Sequence, residues 1–342
     1  MKIANRNLLL IGVLGLLHIA LLFPGFFAPY SYAEQNRDLP FAPPTRLHFV
    51  DATGEFHFWP FVYSVQPTAD DGEYVENRAR AYPVRLFVPG APYTVVGSWT
   101  MRTHLFGVER PGQIFLFGTD DFGRDELSRM FFGGRISLLA GVLGAGTAVL
   151  AGAILGVLAG FYGGWIDALV MRVVELFLAL PWLYLLFAVR ATLPLRIKTT
   201  DAFLLLVVVV GLVGWARPAR LVRGIVLSAK ERTFVRAARA MGASDAQLLR
   251  RHVLPETYGV LSTTAALLIP QFILAEVSLS FLGLGVGEPI PSWGNLLAEL
   301  QKYSVLTSYW WMYLPAAALM LLFLAYHWAS TVLQGRFAEV RA

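Results

Sequence analysis

Residues 136–161 read ISLLAGVLGAGTAVLAGAILGVLAGF, and no titratable side chain interrupts them. About 20 apolar residues carry a helix across roughly 30 Å of hydrocarbon, so this stretch alone points to a membrane protein. Working outward, comparable runs occupy 8–27, with His18 its only titratable group, and 168–189, with Arg172 and Glu175 near its start. Others occupy 202–216, 258–282 (interrupted by Pro270 and Glu276) and 309–333, which predicts six transmembrane helices. The whole chain agrees: its 342 residues are 56% apolar and 15% charged, against about 45–50% and about 25% in soluble domains, and the mean hydropathy is +0.57. There is no cysteine, which excludes a disulfide scaffold, thiolate catalysis and Cys-ligated zinc or iron–sulfur clusters. The net charge of +5 is small and unevenly spread, so no nucleic-acid partner is expected.

Lys2 and Arg6, an apolar run and Ser31-Tyr32-Ala33 also resemble a secretory leader with a cleavage site. The run exceeds the usual core of about 7–15 residues, so residues 1–27 read as a retained anchor. Orientation follows from Lys and Arg in the short loops, which resist translocation. Segments 1–7, 162–172, 217–257 and 334–342 hold 14 of them, against 4 in 190–201 and 283–308, which places both termini in the cytoplasm. Residues 28–135 then form an extracytoplasmic insert, with 10 Lys/Arg and 13 Asp/Glu. Within it Asp51-Ala-Thr-Gly54 reads as a hairpin turn between strands at 46–50 and 55–59, and 82–88 and 113–117 read as further strands. The insert suits either a cap over the outer mouth or a docking surface. A five-helix core covers 136–333, with an inner loop at 217–257, and 334–342 is a cytoplasmic tail. Gly144, Ala148, Gly152, Gly156 and Gly160 put a small residue at every fourth position, a face on which another backbone can pack closely.

Catalytic signatures are missing. None of Lys2, Lys198, Lys230 and Lys302 follows a glycine, so there is no phosphate-cradling P-loop. His-Glu-x-x-His and Gly-x-Ser-x-Gly are also absent, and the six histidines lack ligand spacing. No catalytic, cofactor-binding or metal site is expected in this chain. Glu175 lies one turn from Arg172, which suggests a local ion pair. Glu276 has no charged neighbour in 257–287 and must face protein or water, as a path residue or an interhelix hydrogen-bonding group.

The inner loop carries nine basic residues, yet its pattern is that of structure. Phe234, Ala237, Ala238 and Met241 fall at i, i+3, i+4 and i+7, one apolar face of a short helix, and Gly242 is a natural stop. Ser244-Asp-Ala-Gln247 reads as a capping box opening a second helix, which Pro255 would end. The small-residue face suits a protein groove better than a lipid surface.

The run Ala237-Ala238-x-x-x-Gly242-x9-His252-x-Leu254-Pro255 resembles the cytoplasmic EAA loop of binding-protein-dependent ABC importers. More narrowly, the chain resembles the second membrane subunit of the dipeptide, oligopeptide and nickel branch. Further matching stretches are Gly118-Thr-Asp-Asp-Phe-Gly-Arg-Asp125, Arg135-Ile-Ser-Leu138, Phe161-Tyr-Gly-Gly-Trp165, Ala275-Glu-Val-Ser-Leu-Ser-Phe-Leu-Gly-Leu-Gly285 and Pro291-Ser-Trp-Gly294. Four features depart from the pattern: Arg236 stands where the loop usually has Glu, His252 stands where the general loop has Ile (though His is familiar in the peptide branch), the outer insert is long, and the C-terminal tail lacks the usual acidic-basic ending.

The resemblance implies a type I ABC importer permease fold in a bacterial inner membrane. It also implies a second homologous permease subunit, two P-loop ATPase subunits that bind ATP and Mg, and an extracytoplasmic solute-binding protein. Phe234, Arg236, Ala237, Ala238, Met241, Gly242, Ala243, His252, Leu254 and Pro255 would form the ATPase-coupling site, and the chain itself would not be an enzyme. Peptides are the expected cargo. Nickel or another small solute is the alternative within the same architecture, and a self-contained channel or an intramembrane enzyme the alternative outside it.

Overall fold

A computed structural model describes residues 2–68, 73–96, 99–192 and 199–339. In chain order the elements begin with α1 (Lys2–Leu22), α2 (Pro24–Phe27), β1 (His48–Val50), β2 (Phe56–Pro67), β3 (Tyr74–Pro83), β4 (Arg85–Val96) and β5 (Trp99–Gly107). Helices α3 (Glu126–Tyr162), α4 (Gly164–Ala179), α5 (Trp182–Ala191), α6 (Thr199–Gly214), α7 (Ala216–Lys230), α8 (Thr233–Ala240) and α9 (Asp245–Leu248) follow. The chain closes with α10 (Leu254–Phe281), α11 (Trp293–Ala298), α12 (Tyr303–Ser308) and α13 (Leu314–Glu339). It divides into two compact units: Met1–Ile11, Leu138–Leu279 and Leu322–Ala342 in one, Gly12–Ser137 and Ser280–Leu321 in the other.

Of the six expected spans, three coincide with helices among the described residues that are long and apolar enough to cross a membrane: Glu126–Tyr162, Asp245–Phe281 and Trp310–Val332. Two bent pairs, Gly164–Ala179 with Trp182–Ala188 (93°) and Phe203–Gly214 with Ala216–Lys230 (42°), raise the number to five. The break in the expected third span has a local cause. A residue before proline is pushed out of the helical region, and Leu180, ahead of Pro181, sits at φ −86°, ψ 137°. Phe23 ahead of Pro24 likewise ends α1 at Leu22, short of the expected end at 27.

The small-residue face of α3 is a packing surface. A Cβ on Gly156 would lie 2.5 Å from the Ala219 carbonyl oxygen, and one on Gly152 2.5 Å from Pro218 Cβ. Both contacts belong to α7, a helix within the segment read as an inner loop. Arg217, Arg220 and Arg223 gave that stretch a loop-like composition, but Ala219, Val222, Val226 and Ala229 form one buried stripe beneath them.

The other unit holds the β structure, an antiparallel sheet in the order β1-β2-β3 and a β4-β5 ribbon. The Asp51–Gly54 turn forms as expected: Asp51 Oδ1 accepts from the Thr53 and Glu55 amides at 2.9 and 3.0 Å, and Gly54 takes φ +87°. The strand expected at 82–88 is instead split at Val84, whose amide turns to the Pro60 carbonyl (2.9 Å). Residues 113–117 are not a strand. The Phe115 carbonyl accepts from the Thr45 amide and its amide donates to Thr45 Oγ1, which satisfies the backbone locally while Phe115 fills a small core with Leu39 and Ala42.

Candidate functional site

Helix α8 is short and is held on one side only. Val235 is 1% exposed and shares a core with Val157, Phe161, Val222, Val226, Leu248 and Val253, against which Ala238, Ala243 and Leu254 also pack. On the opposite side Phe234 is 46% and Met241 82% exposed, and Arg236, Ala237, Gly242 and Pro255 are exposed with them. The half-buried His252 ring lies 5.8 Å from that of Phe234. The expected face is therefore divided: Phe234, Ala237 and Met241 point outward, whereas Ala238 joins the packed side. Val235, absent from the sequence-derived set, is the anchor. The i, i+3 pair Val235/Ala238 was the available signal.

The end of α8 closes as a Schellman turn. Gly242 at φ +89° donates to the Arg239 carbonyl (3.0 Å) and Ala243 to that of Ala238 (3.1 Å), a geometry that favours glycine. Ser244 and Gln247 then form the expected capping box. Pro255 does not end the following helix, because Asp245–Phe281 is continuous. A π turn at Leu249–Val253 widens the helix just ahead of the proline, which cannot donate to the i−4 carbonyl and would clash with it in a regular α-turn.

Ion pairs unite this hairpin with its neighbours. Arg223 on α7 grips Asp167 on α4 with two parallel hydrogen bonds, Lys230 Nζ donates to the Gly160 carbonyl (2.9 Å), and Arg232 Nη1 donates to Glu256 Oε1 (2.8 Å). Sequence separations of 24 to 70 residues left these without a local signal. Arg172 and Glu175 are both exposed and form no ion pair among the described residues, because an isolated exposed pair gains only about 0–1 kcal/mol. Glu276 is fully buried.

A second charged constellation lies in the other unit, around Gly118–Asp125. Arg124 Nε donates to Asp120 Oδ2 (2.6 Å), and Arg124 Nη1 and Arg129 Nη2 each donate to one oxygen of Glu288 (2.8 Å). Trp293 Nε1 donates to the Met130 carbonyl (2.9 Å) and Trp311 Nε1 to that of Thr119 (3.1 Å). Burial pushes the Asp125 carboxyl up to about 7. Burial, followed by the charges of Asp120 and Asp121, does the same to Glu299. Burial also opposes ionisation of Glu288, but Arg129 and Arg124 outweigh it and hold this carboxyl below its usual range.

Among the described residues, two groups of side chains could hold a metal by ligand spacing, Asp51/Glu55/His57 and Asp120/Asp121/Glu299. In the first, His57 Nε2 already pairs with Asp51 at 3.0 Å. In the second, Arg124 Nη2 stands 3.9 Å from both Asp121 and Glu299, so a guanidinium supplies the positive charge.

The model of the family described as "Binding-protein-dependent transport system inner membrane component" matches residues 152–339. The chain is 36% identical over 238 residues to the dipeptide transport system permease protein DppC of Bacillus subtilis (strain 168), covering 69% of this chain and 71% of that one. It is 39% identical over 222 residues to a putative peptide permease protein of Brucella suis biovar 1 (strain 1330), covering 65% and 72%. Among solved structures it is similar to the inward-facing methionine ABC transporter MetNI, with TM-score 0.45 and 18% identity over 60% of this chain and 95% of the other.

Proposed function

This chain belongs to the family of binding-protein-dependent transport system inner membrane components, and from that premise we propose that it forms half of the membrane path of an ATP-driven importer of short peptides. The peptide cargo rests on the peptide permeases among its relatives. A second permease subunit would complete the path, and a solute-binding protein would deliver cargo to the extracytoplasmic face, where the insert's exposed Phe56, Phe58 and Trp59 offer a docking surface. Both termini would be cytoplasmic, in keeping with the basic loops.

The observation that carries the coupling mechanism is the two-sidedness of α8. Phe234, Arg236, Ala237 and Met241 would enter a groove of one partner ATPase subunit, while Val235 and Ala238 belong to the core formed with α3, α7 and the start of α10. Closure of the ATPase pair around ATP and Mg would push α8, and the shared core would transmit that push to the spans as a rigid displacement. Arg223–Asp167 and Arg232–Glu256 would keep α8 from yielding alone. No catalytic group of this chain takes part; ATP hydrolysis would belong to the partners.

Gly242→Val tests this reading. A β-branched residue at positive φ is strained by about 1–2 kcal/mol, and no atom lies within 4 Å of the new Cβ, so the turn is perturbed without crowding. Peptide uptake should fall by an order of magnitude or more while membrane insertion, measured by quantitative blotting of membranes, stays near wild type. Unchanged uptake would rule out the lever.

A further inference from the structure

At the two helix breaks of the helical unit lies a cavity of about 200 Å³, walled by Phe177 and Pro181 at the α4–α5 bend, by Trp182 of α5, and by Phe272 of α10. Gly214 closes it from the α6–α7 bend. Its lining includes one charged side chain, Arg217, and one amide side chain, Gln271. No carboxylate pairs with Arg217 among the described residues, in contrast to Arg223 two turns on, which grips Asp167. Arg217 is exposed and opens the basic run 217–257, at the point where the α6–α7 pair bends, and broken helices are where spans open room for cargo. The volume is below the roughly 300–1,000 Å³ of a pocket that encloses a drug-sized ligand, so it suits one amino-acid residue and not a whole peptide.

We propose that this cavity takes the C-terminal residue of the transported peptide: its carboxylate on Arg217, its last peptide group on Gln271, and an apolar side chain against Phe177, Trp182 and Phe272. The inference rests on the peptide-importer reading above and adds the contact by which the path reads its cargo. Guanidinium matches carboxylate in a two-point geometry that ammonium does not reproduce. Peptides carrying a C-terminal amide lose that partner while keeping every other contact.

The test uses the complete importer in proteoliposomes, with Ala-Ala-Phe and its C-terminal amide each loaded to equal occupancy on the binding protein. Wild type should carry the free acid at least tenfold faster than the amide. Arg217→Met should lower free-acid uptake at least tenfold and leave amide uptake and binding-protein-stimulated ATP hydrolysis within twofold, with Arg217→Lys intermediate for the acid. Equal transport of both peptides by wild type would overturn the proposal without recourse to any variant. So would a variant that loses both peptides equally. If that equal loss tracks the phosphatidylglycerol content of the vesicles, the cavity belongs to a lipid phosphate. A wild-type complex that carries neither peptide would overturn the peptide reading itself, and this inference with it.

Discussion

The α3–α7 interface and the charged knot around Asp120 are opposite solutions to the problem of holding a segment still. At the first, Gly152, Gly156 and Gly160 let α3 and α7 touch at van der Waals distance, with Val157, Val222 and Val226 filling the space. Among the described residues no ionised group is fully buried at that contact, and its one charged bond is the half-buried Lys230 ammonium on the Gly160 carbonyl. At the second, Asp120, Arg129 and Glu126 are fully buried, and six carboxylates (Asp120, Asp121, Asp125, Glu126, Glu288, Glu299) face three cations (Arg124, Arg129, Lys302). Burying charges costs several kcal/mol per ion unless they are paired. The knot therefore tolerates the loss of a cation badly and carries its excess acids partly as protonated carboxyls. Shape holds one region together, and charge balance the other.

The largest expected effect comes from breaking that balance. Arg129→Met removes one of the two guanidinium partners of Glu288 and one of the two guanidinium neighbours of Asp120, leaving carboxylates uncompensated in the interior. Truncating one member of a buried charge pair costs about 3–5 kcal/mol, so thermal unfolding of the detergent-solubilised subunit should move sharply downward. A shift no larger than that of an ordinary surface substitution would mean the knot is not a stability element. Gly156→Leu probes the other side of the comparison. Its Cβ would overlap the Ala219 carbonyl, and overpacking of this kind costs about 1–3 kcal/mol. Because α7 leads directly into α8, nucleotide-dependent uptake should suffer along with stability. Full activity in Gly156→Leu would show that α7 can move away from α3 without consequence.

The two regions also differ in how far they could be read in the sequence. The stripe on α3 is periodic within 17 residues (Gly144 to Gly160), so a packing face was legible, though not that the occupant would be the arginine-bearing helix next to it. The stop at Gly242 and the box at Ser244 were legible too, because helix ends are local chemistry. The bends at Leu180 and Trp215 were harder: Pro181 marks the first inside an unbroken apolar run, whereas at the second the apolar run simply stops at Arg217, which reads as the start of a loop. The knot was legible only as a motif, Gly118 to Asp125, without a reason. Its arginines bond to Glu288 across 164 and 159 residues, and no window of sequence joins such partners.

The smallest effect sharpens the contrast most, because only one of the two regions should respond to pH. The Asp125 carboxyl sits near 7 in the folded chain instead of 3.8. Its Oδ2 accepts from the amide and hydroxyl of Ser128, while Oδ1 is buried without a hydrogen-bond partner. A carboxyl raised on folding binds its proton more tightly in the native state. Its stabilising contribution is thus complete below about pH 4 and lost as pH rises toward about 7, at up to roughly 1.4 kcal/mol per pH unit. Asn at this position mimics the protonated form and cannot titrate. Wild type should consequently lose more thermal stability than Asp125→Asn between pH 5 and 7, and the two curves should run parallel above that range. Gly156→Leu measured on the same pH series should keep the wild-type slope at a lower level throughout. Identical slopes for wild type and Asp125→Asn would mean that Asp125 is ionised in the fold, and that the arginines neutralise the knot without help from bound protons.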